Sequence, residues 1–209
     1  MYIAIAGNIG AGKTELGKVL SAALQAKLLP EQEELHDPII KQFYEDMGRW
    51  AFHLQIHFLE SRLHKVMYIL KQPREKRFVL DRTLYEDAEV FAHYLSEVGI
   101  LSTSDYQLYV RLYRKIVELI PPPDLLIFLD GSVSTLVKRI MKRNRPYEAN
   151  LRLSYLSALN KRFREWYEGY GRGKKLRIDI DRYDFMEREE DRYEVVRQVE
   201  QELFGLFPE

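Results

Sequence analysis

The chain has 209 residues, 46% of them hydrophobic, with 32 basic against 32 acidic residues and no cysteine. That length fits one domain with a sizeable core, and the apolar content excludes a disordered chain. A polynucleotide binder needs a basic excess to neutralise phosphates, so zero net charge directs attention to small ligands; the lack of cysteine excludes disulfide and thiol chemistry. No apolar run approaches the roughly 18 residues that span a bilayer, and no basic segment precedes the first apolar run. The expectation is a cytoplasmic protein with no membrane or nucleic-acid polymer partner.

The first predicted element is a strand, YIAIAG at 2–7. The loop that follows it reads GNIGAGKT at 7–14 and leads into the predicted helix KTELGKVLSAALQA. Gly7, Gly12, Lys13 and Thr14 satisfy G-x-x-x-x-G-K-[ST] in full. Glycines let the backbone of Gly7, Asn8, Ile9, Gly10, Ala11 and Gly12 wrap around phosphates with N–H groups turned inward, and the helix start adds its positive end. Lys13 is expected to reach the β- and γ-phosphates of ATP or GTP, and Thr14 to offer its hydroxyl to Mg²⁺. The loop does not say where the terminal phosphate goes.

A second short strand, AKLLP at 26–30, runs into the acidic stretch PEQEEL. A long helix is predicted from about 49 to 71. In WAFHLQIHFLESRL it is apolar nearly all round, yet Gln55 and Arg62 share one face with Leu59 between them. Buried polar groups need partners, and a planar heterocycle satisfies both, because Gln offers a donor and an acceptor and Arg a fork of donors. From the helix alone the alternative stays open that Arg62 is a surface residue paired with Glu60 or Asp87. His53 and His57 are one turn apart but lack a glutamate between them and any third ligand, and read as packed or surface histidines.

The third strand, RFVLD at 77–81, closes on Asp81, at the edge where open parallel sheets bind ligands. A carboxylate there acts on Mg²⁺ directly or through water, and Arg82 can neutralise developing phosphate charge. Asp87 follows at the start of a helix predicted to about 97. Another helix is expected at about 104–119, stopped by PPP at 121–123. The fourth strand is LLIFLD at 125–130. The helix at 133–143 carries Lys138, Arg139, Lys142 and Arg143, followed by Arg145; alone this reads as a solvated basic face or a polynucleotide patch, but the phosphate loop upstream shifts the reading to arginines converging on ATP, where they would stabilise charge on the transferred phosphoryl group. Helices at 152–168 and 190–204 flank a fifth strand, KLRIDI at 175–180. Alternating strands and helices predict an α/β fold: one domain over 1–209, a five-stranded parallel sheet flanked by helices, with an arginine-rich lid at about 139–150.

Together GNIGAGKT, FYEDMGRWAFHLQIHFLESRL, DRTLYED, RIMKRNRPYE and IDIDRYDF resemble the deoxyribonucleoside kinase family, most closely its bacterial deoxyadenosine/deoxyguanosine kinases. The resemblance covers nearly the whole chain. It implies ATP-dependent 5′-phosphorylation of a purine deoxynucleoside with Mg²⁺, in a homodimer. It implies that Glu31 is the base toward the sugar 5′-hydroxyl, although the family's Glu-Pro is absent and Glu33 and Glu34 lie nearby. Tyr44 and Glu148 correspond to groups on the 3′-hydroxyl; Gln55, Arg62 and Asp87 to groups on the base edge, with Phe58 against the base; Asp81, Arg82, Arg139, Arg143 and Arg145 to groups around the phosphates. Retention of both Arg62 and Asp87 implies a purine or deoxycytidine site rather than a thymidine site. The competing readings are a thymidylate kinase-like monophosphate kinase and a nucleotide-dependent switch.

Overall fold

A strand covered on both faces has to be apolar along its whole length, and β1 (Tyr2–Gly7) is buried at all six positions. The computed structural model describes residues 1–31, 38–145 and 151–205. In it β1 is joined by β2 (Lys27–Leu29), β3 (Phe78–Asp81), β4 (Leu125–Asp130) and β5 (Lys175–Asp179) in one all-parallel sheet, ordered β2-β3-β1-β4-β5. Ile3 lies opposite Val79 on one side and Leu125 on the other. The five expected strands are all present. Because all five run in parallel, the loops that leave their C-terminal ends share one edge, which is where Gly7, Asp81 and Asp130 sit.

The chain divides into two compact units. The first comprises Met1–Pro30, Gln72–Arg82 and Pro122–Glu209. It holds the sheet with α1 (Lys13–Ala23), α7 (Val133–Arg143), α8 (Leu153–Gly169) and α9 (Glu189–Phe204). Its core joins Ile3, Ile5, Val79, Ile127 and Leu129 of the sheet to Leu16 and Leu20, Leu136, Leu156, and Val195 and Val199 of the helices. Phe128 stacks on Phe163 and Tyr167.

The second unit, Glu31–Lys71 and Thr83–Pro121, is helical. It contains α2 (Pro38–Glu45), α3 (Met47–Leu70), α4 (Leu84–Glu86), a π-helical segment (Asp87–Ala92), α5 (His93–Glu97) and α6 (Thr103–Leu119). Asp46 caps α3 by accepting from the Arg49 amide at 3.1 Å, and Thr83 caps α4 by accepting from the amides of Tyr85 and Glu86. Two features differ from expectation. Residues 38–45 form a helix that is not among those expected, although Pro38 at the first helical position and the buried Ile40 and Phe43 carry its signature. The helix expected at 85–97 is one continuous rod only in outline, because Asp87–Ala92 winds as a π-helix. Such segments insert an extra residue and turn the side chains that follow, and they recur at functional sites.

Candidate active site

The phosphate loop owes its shape to glycine. Gly10 has φ +84, and a Cβ there would meet the Leu136 carbonyl at 2.7 Å and Ile140 Cγ1 at 2.8 Å. Gly12, at φ +92, is the left-handed residue from which α1 starts. Lys13 is buried and donates to the Gly7 and Asn8 carbonyls at 2.8 and 3.0 Å, which folds its ammonium over the loop. The Ala11 amide closes the turn on the Asn8 carbonyl at 3.1 Å.

Next to the loop, Thr14 donates its hydroxyl to Asp81 Oδ2 at 2.6 Å. Asp81 is fully buried at the end of β3, and its Oδ1 has no hydrogen-bond partner among the described residues. A hydroxyl with lone pairs left over and a carboxylate oxygen awaiting a partner form an oxygen donor set suited to a hard divalent cation. Arg82 is one of three non-glycine residues at positive φ among the described residues, at +72, and its amide donates to the Ile5 carbonyl at 3.0 Å. Backbone held in this region costs of order 1–3 kcal/mol, and such strain concentrates at functional sites.

Arg139 on α7 turns back to the loop, donates to the Ala11 carbonyl at 2.8 Å and stands 3.6 Å from Asp184. Its guanidinium lies over the Phe185 ring. Burial lowers its pKa, with the charges of Asp184 and Asp181 opposing. Arg143, one turn on, is exposed, and Arg145 is half-buried. Of the other lid residues, Pro146 and Glu148 lie outside the described residues, as do Glu33 and Glu34.

In the helical unit the alternative of a surface Arg62 is overturned: Arg62 is 0% exposed. Its Nη2 donates to Glu31 Oε1 at 3.3 Å, and its Nε lies 3.1 Å from Asp87 Oδ2 at an angle that makes this an ion pair rather than an aligned hydrogen bond. The Phe58 ring faces the guanidinium at 5.2 Å. One buried cation therefore faces two buried carboxylates. Pairing is what makes this burial tolerable, because an isolated buried charge costs several kcal/mol. Gln55 is buried on the same helix face, and its Oε1 has no hydrogen-bond partner among the described residues. Tyr44, on α2, is exposed. His53 is exposed and His57 partly buried, and no cluster of metal-ligating side chains exists among the described residues.

Two residues escaped the sequence reading. Tyr109 on α6 is fully buried, and its hydroxyl has no partner among the described residues. Burial first, and the Asp87 charge second, raise its pKa well above the ordinary value. Asn160 is buried on α8 and joined to the phosphate loop. Its signal was present: it is the polar residue between Leu156 and Phe163 on an otherwise apolar face.

A central parallel strand, a glycine loop ending in Lys-Thr and an acid at the neighbouring strand end define a phosphate-loop α/β nucleotide enzyme. The family model for deoxynucleoside kinases matches residues 3–204, and the chain belongs to that family. It is 34% identical to a deoxyadenosine/deoxycytidine kinase of Bacillus subtilis over 94% of this chain and 90% of that protein. It is 37% identical to a deoxyguanosine kinase of Lactobacillus acidophilus over 96% and 90%. Among solved structures, deoxyadenosine kinase from M. mycoides with dCMP and a flexible dCDP bound superposes with a TM-score of 0.83 at 27% identity, over 96% of this chain and all of that one. The same enzyme with dATP bound gives 0.81 over 95% and 98%. No helix of the described residues is long and apolar enough to cross a membrane.

Proposed function

We propose that this deoxynucleoside kinase moves the γ-phosphoryl group of ATP to the 5′-hydroxyl of a purine deoxynucleoside. The observation that carries the reading is the buried Arg62 between Glu31 and Asp87, with the unpartnered Gln55 oxygen on the same helix face. Each carboxylate oxygen carries more than one acceptor site, so Glu31 and Asp87 beside one guanidinium present acceptors to the N–H edge of a base and to a sugar hydroxyl. Gln55 Oε1 accepts from the base, Asp87 reads its exocyclic or ring N–H, and Phe58 walls off the ring. Glu31 orients and deprotonates the 5′-hydroxyl, while Tyr44 and Glu148 hold the 3′-hydroxyl. The relative named deoxyguanosine kinase supports purine preference, and the Bacillus subtilis relative is named for deoxyadenosine and deoxycytidine alike.

On the donor side, residues 7–14 cradle ATP. The Thr14 hydroxyl and the open Asp81 oxygen fit Mg²⁺, which when bound neutralises phosphate charge. Phosphoryl transfer of this kind is mostly positioning and charge stabilisation. Arg82, Arg139, Arg143 and Arg145 supply that charge, and lid closure over about 139–150 excludes water. The chain acts as one kinase domain, in the cytoplasm, as a homodimer, on small molecules. Phosphorylation of dA, dG, dC and dT in parallel with ATP and Mg²⁺ tests the reading. Preferential turnover of dA or dG supports it, and preferential turnover of dC or dT overturns the purine assignment.

A further inference from the structure

We infer that Asn160 is a positioning residue for the triphosphate, acting through Asn8. The Asn8 amide donates to the Leu156 carbonyl at 3.1 Å and to Asn160 Oδ1 at 3.3 Å, while its Oδ1 accepts from the Ile9 amide at 2.8 Å. Asn160 in turn donates to the Gly131 carbonyl at 2.9 Å. Both side chains are buried, Asn8 at 1% and Asn160 at 6% exposure. Two amides linked in series run from the turn after β4, through α8, to the second residue of the loop.

Asn8 is where the loop's own contacts converge. Its carbonyl accepts from the Ala11 amide and from Lys13, and its side chain holds the Ile9 amide. Fixing the orientation of this one residue therefore fixes the turn and the resting place of the lysine. A cradle of N–H dipoles stabilises phosphate charge only insofar as it is preorganised, and first-contact groups stay in place when a second layer of hydrogen bonds holds them. The fold itself is otherwise provided for. Without Asn160, Asn8 keeps the Leu156 carbonyl, and the Gly131 carbonyl keeps Arg164 Nη2 at 3.3 Å. The relay thus serves loop geometry more than chain integrity.

The inference rests on residues 7–14 being the ATP site, and ADP binding to the unmodified enzyme, measured by calorimetry, tests that premise separately. If the unmodified enzyme does not bind ADP, the premise fails. Given binding, Asn160→Leu is expected to weaken ADP affinity and raise the KM for ATP about three- to tenfold. The deoxynucleoside KM at saturating ATP stays within about twofold. In an Asn8→Ala background the same change adds nothing. A purely structural role lowers Tm and leaves the ADP affinity of the folded enzyme unchanged, which overturns the inference, as does an equal loss toward both substrates. If Asn160→Leu does not melt cooperatively, Asn160→Ser takes its place. In the unmodified enzyme, ADP slows amide exchange across the start of α8 as well as in the loop; protection confined to the loop overturns the inference.

Discussion

Arg62 Nε stands 3.1 Å from Asp87 Oδ2 with the arginine wholly excluded from solvent, and the same guanidinium reaches Glu31. Truncating it removes the buried cation that both carboxylates face, and breaking a buried ion pair costs about 3–5 kcal/mol. Arg62→Leu is therefore expected to lower Tm and to reduce kcat/KM for the preferred purine deoxynucleoside by about 10²-fold or more. The measurement is a melt together with kinetics on all four deoxynucleosides; unchanged discrimination would remove Arg62 from base recognition.

Gln55 predicts the opposite balance between stability and activity. Its Oε1 has no partner among the described residues, so the folded protein without nucleoside gains nothing from that atom. Gln55→Leu is expected to leave Tm unchanged or raised, while kcat/KM for the nucleoside falls about tenfold or more. A substantial fall in Tm with intact kinetics would assign Gln55 to the core.

Glu31 combines a buried pairing with Arg62 and a proposed role at the 5′-hydroxyl. Glu31→Gln keeps the size and an acceptor but not the charge, so kcat is expected to fall by about 10²-fold or more while ADP affinity stays the same. Near-normal turnover in Glu31→Gln, coupled with loss in Glu33→Gln, would transfer the role to Glu33.

Asp81 holds the Thr14 hydroxyl and has one oxygen without a hydrogen-bond partner among the described residues, the pair proposed to hold Mg²⁺. Asp81→Asn is expected to shift half-maximal Mg²⁺ activation upward by about tenfold or more, with ADP binding in the absence of Mg²⁺ little changed. The Mg²⁺ titration is the readout, and chelation of the metal is expected to abolish turnover.

Asp181 gives a pH-dependent outcome. Burial alone would raise its carboxyl pKa, but the Thr135 hydroxyl and the amide and hydroxyl of Ser132 hold it below the ordinary carboxylate value. A depressed folded-state pKa contributes stability that is present above the unfolded-state value and is lost as pH falls through the folded one. Asp181→Asn is expected to lower Tm modestly at pH 7, and the difference from the unmodified protein is expected to shrink as the solution is acidified below pH about 4. Melting curves across that range check it.

Much of this was legible before any coordinates. The strands show because parallel strands covered on both faces are near-continuous apolar runs, and LLIFLD admits few other readings. The loop shows because its glycines, lysine and threonine all fall within the eight residues 7–14. What stayed hidden depends on distance along the chain. Arg62 meets Glu31 and Asp87 only after three separate segments of the chain come together, so arginine's usual preference for the surface left its burial open. The π-helical segment at Asp87–Ala92 has no short periodic signature to announce it. Asn160 shows as a polar residue on an apolar helix face, but its partner does not, since Asn8 lies 152 residues away along the chain.

The sheet order has a consequence for how the chain is made. β1 precedes both of its neighbours in the chain, which begin only at Phe78 and Leu125. Until the second of these has emerged, an apolar strand and the loop it carries have no complete mould to fold into. Non-local parallel pairing is slow to form and leaves strand edges open to association in the meantime. The phosphate loop is thus made well before both strands that flank β1, and β1 pairs on both sides only once Leu125–Asp130 has been synthesised.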